Sequence, residues 1–279
     1  LVGEAAAGGE TLVTTGFIGK TPAGEITTLG RGGSDFSAAL FGERLAAEEI
    51  QIWTDVDGVM TADPRVVPAA RLLDTLSFEE ASELAYYGAK VLHPATIVPA
   101  IKKNIPVRVL NTMRPEIRGT TIVRAGVKAP TVAKSIATKK NIHVINITSL
   151  RMLLAHGFLA RIFEIFDRYQ VVIDMVATSE VSVSVTTDSE RNLEPALAEI
   201  RGFAEVEHRS GRTILYLVGH GLRETAGIAS VFFQTLADAG VNIEMISQGS
   251  TRINIGIIIQ DGDAARAVQT LHRRFFERA

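Results

Sequence analysis

The sequence predicts an α/β protein, with a parallel sheet in its first half and two ferredoxin-like units in its second half. In the first half, strand patterns at 12–19 and 49–54 flank an apolar helical pattern at 34–45. Strands that alternate with helices are typical of parallel sheets with helices on their faces. In the second half, residues 157–185 align with residues 227–255 without a gap, which indicates a duplicated unit.

Composition indicates a globular protein and excludes several classes of function. Of the 279 residues, 46% are hydrophobic and 22% are charged, and the net charge of −2 predicts neither a nucleic-acid partner nor a membrane partner. The chain has no cysteine, which excludes disulfides and thiolate metal sites and fits a cytoplasmic location. Because the first residue is Leu1 rather than methionine, we expect the sequence to be a fragment.

A glycine-rich stretch at 27–35 opens the first helix and is a candidate ligand-binding loop. Glycine lets the backbone approach a ligand closely, and the start of a helix offers unpaired N–H groups and a positive dipole end. Arg31 can hold a carboxylate or phosphate through two parallel hydrogen bonds, and Asp35 could orient a lysine, a metal or a nucleophile. The alternative is a simple turn in which Ser34 or Asp35 caps the helix.

Polar residues follow the strand at 49–54. Ligands of parallel sheets bind beyond the carboxyl ends of the strands, and Thr54 and Asp55 occupy that position. The loop then continues to Arg65, so it could hold an adenine against Met60 while Arg65 meets phosphates. A solvated acidic turn explains the same loop equally well.

The remainder of the first half predicts further helices and strands around one candidate lysine. A capping box at 77–80 opens a helix that ends at Gly88. Lys90 follows this glycine and is a candidate phosphate ligand, although most lysines in such positions are simply solvated. A helix at 95–103 and a strand at 106–110 follow, and residues 124–131 have the composition of a linker between domains.

The order of elements in the duplicated half predicts its fold. Each copy has the pattern strand, helix, strand, strand, helix, which is typical of a ferredoxin-like βαββαβ unit. The chain ends after the last helix of the second copy, so the closing strand of that copy must come from elsewhere. We expect residues 132–138 to supply it, which would insert the first copy inside the second.

Four spaced motifs of the first half resemble those of aspartokinase, and the duplicated half resembles the paired ACT domains of that family. The motifs lie at 28–35, 53–58, 63–65 and 88–95. The residues at 151–180 are most similar to those of the monofunctional, lysine-inhibited type.

The resemblance implies three domains. They are the C-terminal part of a three-layer amino-acid kinase domain over 1–126, a first ACT domain over 141–209, and a second ACT domain built from 132–138 plus 213–279.

The implied activity is phosphorylation of L-aspartate by MgATP on the pathway to lysine, threonine and methionine. This chemistry needs positioning and charge neutralisation more than covalent catalysis, and a carboxylate nucleophile needs no general base. The family begins with a Lys-Phe-Gly-Gly-Thr-Ser phosphate loop that this sequence lacks, so we expect the chain to be inactive by itself. One alternative is a dimerising regulatory module without catalysis, and a weaker one is another amino-acid kinase.

The resemblance also implies roles for individual residues. Arg31 would hold the aspartate carboxylate with Ser34 beside it, and Asp35 would order the positive groups around the transferring phosphoryl. Met60 stands where related enzymes often have tyrosine. The implied nucleotide site consists of Thr54, Asp55, Met60, Arg65, Lys90 and Val91.

The implied effector is L-lysine, bound between ACT units at the interface of a homodimer that can assemble further into a tetramer. A helix N-terminus at 157–159 suits the effector carboxylate, and Asp174 and Glu180 suit its ammonium groups. Without the resemblance, Phe158 and Leu159 would be packing residues and Glu180 a hairpin residue. The implied effector site consists of Met152, Gly157, Phe158, Leu159, Ile173, Asp174, Thr178, Ser179 and Glu180.

Overall fold

A computed structural model describes most of the chain. The described ranges are 11–30, 32–87, 94–124, 132–153, 156–249 and 253–277.

The chain divides into two compact units. Unit 1 comprises Leu1–Ala137 and Val218–Glu224, and unit 2 comprises Thr138–Leu217 and Thr225–Ala279.

The described part of unit 1 contains a hairpin, a four-stranded sheet and the helices that accompany them. In chain order, its elements are β1 (Ile18–Lys20), β2 (Ile26–Thr28), α1 (Gly33–Leu45), β3 (Ile50–Thr54), β4 (Thr75–Ser77), α2 (Phe78–Tyr87), α3 (Pro94–Lys103), β5 (Val107–Asn111) and β6 (Thr120–Val123).

The four-stranded sheet has the order β3-β5-β6-β4 and mixes both pairing directions. The β3–β5 and β4–β6 pairs are parallel, as the alternation of strands and helices predicted, whereas β5 and β6 are antiparallel. A parallel pair needs a crossover connection of a dozen or more residues, and the link between β5 and β6 at 112–119 is too short for one. Buried Ile52, Val109 and Ile122 lie in the three strands β3, β5 and β6.

The predicted buried strand at 12–19 is wrong. Only its end belongs to β1, which pairs antiparallel with β2 in a separate two-stranded sheet, and Val13 is 95% exposed. A turn at 21–24, closed by a hydrogen bond from Gly24 N–H to the Thr21 carbonyl, makes this segment a hairpin. A hairpin turn pairs a strand with its sequence neighbour, so β1 does not join the main sheet.

Unit 2 is built from one sheet and its helices. Its elements are β7 (Ser135–Thr148), α4 (Phe158–Arg168), β8 (Val176–Thr178), β9 (Ser182–Thr187), α5 (Leu193–Arg201), β10 (Glu205–Val218), α6 (Ile228–Asp238), β11 (Met245–Ser247), β12 (Asn254–Gln260) and α7 (Ala264–His272). The first three residues of β7 and the last residue of β10 fall within unit 1.

The sheet of unit 2 contains both predicted ferredoxin-like units. Its order is β11-β12-β10-β7-β9-β8, and the two central strands β7 and β10 each run for 14 residues. The first copy, from β7 to β10, uses the half β10-β7-β9-β8. The second copy, from β10 to α7, uses β11-β12-β10, with β7 on the open side of β10. The two copies therefore share their long central strands and are interleaved.

The duplication extends to the cores of the two copies. On α4, Ile162 and Phe166 are buried against strand residues such as Ile145. The aligned positions on α6, Phe232 and Leu236, are buried as well. Each pair lies four residues apart on one helix face, which is the spacing that buries an amphipathic helix against a sheet.

Replacement of Gly119 by alanine is expected to destabilise unit 1 by at least about 3 kcal/mol. Gly119 has a φ of 70°, and an added Cβ would lie 2.0 Å from the Val109 carbonyl oxygen. Positive φ costs an alanine about 1–2 kcal/mol, and the clash with the backbone adds to that cost. Chemical denaturation followed by the fluorescence of Trp53, the single tryptophan of the sequence, measures the loss.

Gly30→Ala is the matched control, because Gly30 has a φ of 77° and no atom within 4 Å of an added Cβ. We expect this variant to lose only about 1–2 kcal/mol, the cost of the backbone conformation. Equal losses in the two variants would contradict the steric explanation for Gly119.

Candidate functional site

The glycine-rich loop before α1 requires its glycines for structural reasons. Gly30 and Gly32 have positive φ, and Gly33 is buried so tightly that an added Cβ would lie 2.9 Å from Leu29 and from Phe17. Gly32 is the N-cap residue of α1, and no side chain caps the helix. Ser34 and Asp35 therefore lie inside the helix and do not occupy its N-cap position.

The first turn of α1 places two predicted site residues at a helix N-terminus. Ser34 is exposed and Asp35 is half-buried. The first N–H groups of a helix have no intrahelical acceptor, and the N-cap residue Gly32 has no side chain that could accept from them. Arg31, the third member of the predicted group, lies outside the described residues.

The parallel strands β3 and β5 end side by side at the residues predicted to bind the nucleotide, Thr54 and Asp55. The register of β3 and β5 pairs Thr54 with Asn111, and the Thr112 N–H donates to the Thr54 carbonyl at 2.8 Å. Thr54 Oγ1 also lies 3.2 Å from Asp55 Oδ1, and Asp55 is exposed. Thr54 and Asp55 thus lie at the sheet edge where ligands of such folds bind.

A polar cluster that the sequence analysis missed holds the loop after β3. The Asn111 amide donates to Asp57 Oδ1 at 2.7 Å, and Arg114 forms an ion pair with the same carboxylate. Asn111 is the residue that ends β5, so its position after a predicted strand was the available signal.

Gly58 is buried, and Val59 N–H donates to Thr120 Oγ1 at 2.9 Å. The loop is packed on β6, so it is not the solvated turn of the alternative interpretation.

Met60 and Arg65 are held by different kinds of contact. Met60 is half-buried and forms a β-bridge with Leu72, and its carbonyl accepts a hydrogen bond from Ser135 Oγ at 2.8 Å. Arg65 is 87% exposed and binds Asp63 through Nε at 3.0 Å and Nη2 at 2.7 Å. The hydrogen bond to Asp63 and the charge of its carboxylate raise the pKa of Arg65. A phosphate would have to displace Asp63 or share the guanidinium with it.

The two remaining predicted nucleotide residues, Lys90 and Val91, lie outside the described residues. In the described ranges, no cluster of three or more potential metal-ligating side chains occurs. No helix of that same part of the chain is long and apolar enough to cross a bilayer.

A pocket of about 580 Å³ in unit 2 gathers most of the predicted effector residues. Gly157 is the N-cap residue of α4, with a φ of 78° and no side-chain cap, and no described atom lies within 4 Å of a Cβ added there. Six of the nine predicted residues line the pocket. Its lining consists of Met152, Leu153, Gly157, Phe158, Leu159, Ala160, Ser179 and Glu180.

The hairpin between β8 and β9 supplies one wall of this pocket. Ser179 N–H donates to the Ser182 carbonyl at 2.8 Å, and the two serine hydroxyls lie 2.7 Å apart. These contacts fix the turn and leave Glu180 exposed at its tip. The pocket therefore has a carboxylate on one side and a helix N-terminus on the other.

Three predicted effector residues do not line the pocket: Ile173, Asp174 and Thr178. The side chain of Asp174 is buried, and Lys139 Nζ lies 2.8 Å from its Oδ1 and 2.9 Å from Asp188. Burial lowers the pKa of Lys139, but the hydrogen bonds to Asp174 and Asp188 outweigh it and raise the pKa above its ordinary value. Asp174 is thus engaged by an ammonium group of the chain itself.

Comparison with known proteins gives matches to both halves of the chain. A profile of the Amino acid kinase family matches residues 1–111, and a profile of the ACT domain matches residues 215–275. Aspartokinase 3, chloroplastic, from Arabidopsis thaliana is 42% identical over 95% of this chain and 49% of its own length. The lysine-sensitive aspartokinase 3 of Escherichia coli is 39% identical over 95% of this chain and 60% of its own length. The chain thus spans only about half the length of these curated relatives.

Solved structures match the same extent of the chain. Escherichia coli aspartokinase III in complex with aspartate and ADP, in the R-state, has a TM-score of 0.84 at 39% identity and covers 94% of this chain. The same enzyme in complex with lysine and aspartate, in the T-state, has a TM-score of 0.80 at 40% identity. This chain covers 60% and 59% of those chains. The matches confirm the fold class predicted from the sequence.

Replacement of Asn111 by alanine is expected to destabilise unit 1 by about 1–3 kcal/mol, because a half-buried carboxylate loses its amide donor. Asn111 is only 3% exposed, so water does not easily replace it. Trp53 fluorescence during denaturation measures the change.

Arg114→Ala is the control for this prediction, because Arg114 binds the same carboxylate from a side chain that is 56% exposed. Exposed ion pairs contribute about 0–1 kcal/mol, so this variant should lose less than Asn111→Ala. A larger loss in Arg114→Ala would show that charge, rather than the buried amide, holds the loop.

Proposed function

The chain belongs to the aspartokinase family, and we propose that the protein of which it forms part phosphorylates L-aspartate with ATP under feedback control by L-lysine. The observation that carries the proposal is the meeting of Thr54, Asp55 and Asn111 at the carboxyl edge of parallel strands. Helix α1 begins in the same unit, and its N-cap residue is Gly32. Both features suit a phosphorylated ligand.

The proposed reaction needs no proton transfer. An oxygen of the aspartate β-carboxylate bonds to the γ-phosphorus of ATP, and the bond from that phosphorus to the bridging oxygen of ADP breaks. The products are 4-phospho-L-aspartate and ADP. The protein positions the reactants and neutralises charge, and Mg²⁺ supplies further charge neutralisation when it is bound with the nucleotide.

We assign the residues of unit 1 to two subsites. Arg31 and Ser34 hold the aspartate carboxylate, and Asp35 orders positive groups near the transferred phosphoryl. The exposed position of Ser34 in the first turn of α1 supports this assignment. The nucleotide subsite consists of Thr54, Asp55, Met60, Arg65, Lys90 and Val91.

We propose the domain limits from the same relationship. Residues 1–126 form the C-terminal part of the kinase domain, and residues 141–209 form the first ACT domain. Residues 132–138 together with 213–279 form the second ACT domain. The position of β7 beside β10 supports this interleaving.

The pocket at the start of α4 is the proposed lysine site. The N-terminal N–H groups of α4 suit the effector carboxylate, and Glu180 suits its side-chain ammonium. Met152, Phe158 and Leu159 provide apolar surface for the methylene groups between these charges. The proposed site also includes Ile173, Asp174 and Thr178, although these residues do not line the pocket.

Further parts of the proposal concern assembly and location. We propose a homodimer formed through the ACT domains, which can pair into a tetramer, and a cytoplasmic location without membrane or nucleic-acid partners.

The second candidate function is a dimerising module that binds an amino acid without catalysis. The proposed lysine pocket supports this function as well as it supports the first.

Catalysis is tested in the whole protein by trapping the acyl phosphate with hydroxylamine while ADP release is measured. We expect Asp35→Asn to lower kcat by about 100-fold or more, because one electrostatic contact at the transferring group is removed. Glu43→Gln, on the same helix away from its N-terminus, is the control and should keep the wild-type rate. Wild-type kcat in Asp35→Asn would contradict the assignment, and an absence of aspartyl hydroxamate would favour the regulatory module.

Effector binding is tested by calorimetry of the chain with L-lysine, L-threonine and L-methionine. We expect binding of lysine and a loss of about 10-fold in affinity in Glu180→Gln, which corresponds to about 1.4 kcal/mol for a charge-assisted contact. Glu164→Gln, on the exposed face of α4, is the matched control and should bind normally. Binding of threonine alone would overturn the lysine assignment.

A further inference from the structure

Two histidines meet across the central strands of unit 2. His143 lies in β7 and His208 lies in β10, and these two strands are neighbours in the sheet. His143 Nδ1 is 3.0 Å from His208 Nε2, and the ring centroids are 5.2 Å apart. A hydrogen bond between two imidazoles requires a proton on one nitrogen and a free lone pair on the other. The contact is therefore made only while at least one of the two rings is neutral.

The second nitrogen of His143 assigns the direction of this hydrogen bond. His143 Nε2 is 3.6 Å from Glu190 Oε1, and the carboxylate favours a proton on that nitrogen. His143 Nδ1 is then the acceptor, and His208 Nε2–H donates to it. A first proton taken up by the pair, on His208 Nδ1, leaves the hydrogen bond intact. A second proton, on His143 Nδ1, removes the acceptor and places two positive charges side by side.

The surroundings of the pair oppose the second proton. His143 is only 6% exposed, so little water reaches its ring. Partial burial, and after it the positive charge of His143, lower the pKa of His208 below its ordinary value. Glu194 and Glu190 raise this pKa but do not outweigh these two causes, and Arg201, which forms an ion pair with Glu194, lowers it further.

The second copy of the duplicated unit has a threonine where the first has His143. The repeat spacing of 70 residues places Thr213 at that position, and the same spacing relates Asn141 and Gly211, which both have positive φ. Thr213 is fully buried, and its hydroxyl lies 2.5 Å from Asp261 Oδ1. A threonine hydroxyl does not ionise near neutral pH, so the duplicated backbone does not require an imidazole at this position.

We propose that His143 and His208 form a pH-sensitive contact that holds β7 to β10 and opens when the pair takes up its second proton. Below about pH 6.5, the ordinary pKa of histidine, the two rings of the unfolded chain take up two protons, whereas the folded pair takes up one. The folded state then binds fewer protons than the unfolded state. The stability that the contact provides is therefore present above about pH 6.5 and is lost as the pH falls. The response needs only contacts within unit 2, so it does not depend on the proposed kinase activity.

Amide hydrogen exchange of the whole chain, measured from about pH 7.5 to about pH 5.5 and corrected for the intrinsic exchange rate, follows the opening of β7 and β10. We expect the protection of these amides to fall by up to about 10-fold over this range, which is the limit for one proton excluded from the folded state. A change of less than about 2-fold would contradict the pH response.

Two variants replace one ring each with a group that makes the same hydrogen bond but does not ionise. His208→Gln keeps an amide donor at the position of Nε2, and His143→Asn keeps an amide acceptor at the position of Nδ1. Both should retain the protection of β7 near pH 7.5 and lose most of its pH dependence. His156→Gln, the same kind of change at an exposed histidine of unit 2, is the control and should keep the wild-type pH dependence.

Nuclear magnetic resonance of the imidazole Cε1–H groups provides a second measurement on the wild-type chain, so the test does not depend on the folding of a variant. The pair should titrate in two steps, of which one is displaced to lower pH. In His143→Asn, the remaining His208 should titrate nearer to its ordinary pKa. Wild-type rings that titrate together near pH 6.5 would overturn the role of the pair. Equal pH dependence of protection in the wild type and in His208→Gln would overturn it as well.

Discussion

The parallel pairing of β3 with β5 is the constraint on which the rest of the candidate nucleotide site depends. Its register places Thr54 beside Asn111, so both strands end at one edge of the sheet. Asp57, in the loop after β3, then meets the amide of Asn111, and this contact fixes the loop. Polar groups that are already in place need little reorganisation during phosphoryl transfer, which depends mainly on positioning.

Unit 2 shows how one duplicated backbone can carry two different surfaces. Gly157 and Gly227 begin the equivalent helices α4 and α6, and both have positive φ without a side-chain cap. The duplicated sequence therefore repeats the helix N-terminus, but only the first copy has Ser179 and Glu180 in the neighbouring hairpin. The side chains around a shared backbone thus decide which copy presents a carboxylate to the pocket.

Sequence reasoning succeeded where local patterns decide structure and failed where distant partners do. The repeat spacing predicted two equivalent helices, and Phe232 is indeed buried like the aligned Ile162, because both helices follow the same apolar period. The Asp57–Asn111 contact could not be predicted, because it depends on the direction and register of two strands far apart in sequence. The buried pairing of Asp174 with Lys139 was missed for the same reason.

The central claim, that the edge after Thr54 binds a nucleotide, is tested most directly by Trp53. This single tryptophan is 48% exposed and immediately precedes Thr54. The account predicts that MgADP changes the Trp53 emission in a saturable way and that MgATP competes for the same sites. Emission that stays constant as MgADP saturates the protein in a parallel calorimetric titration would place the nucleotide elsewhere and contradict the account.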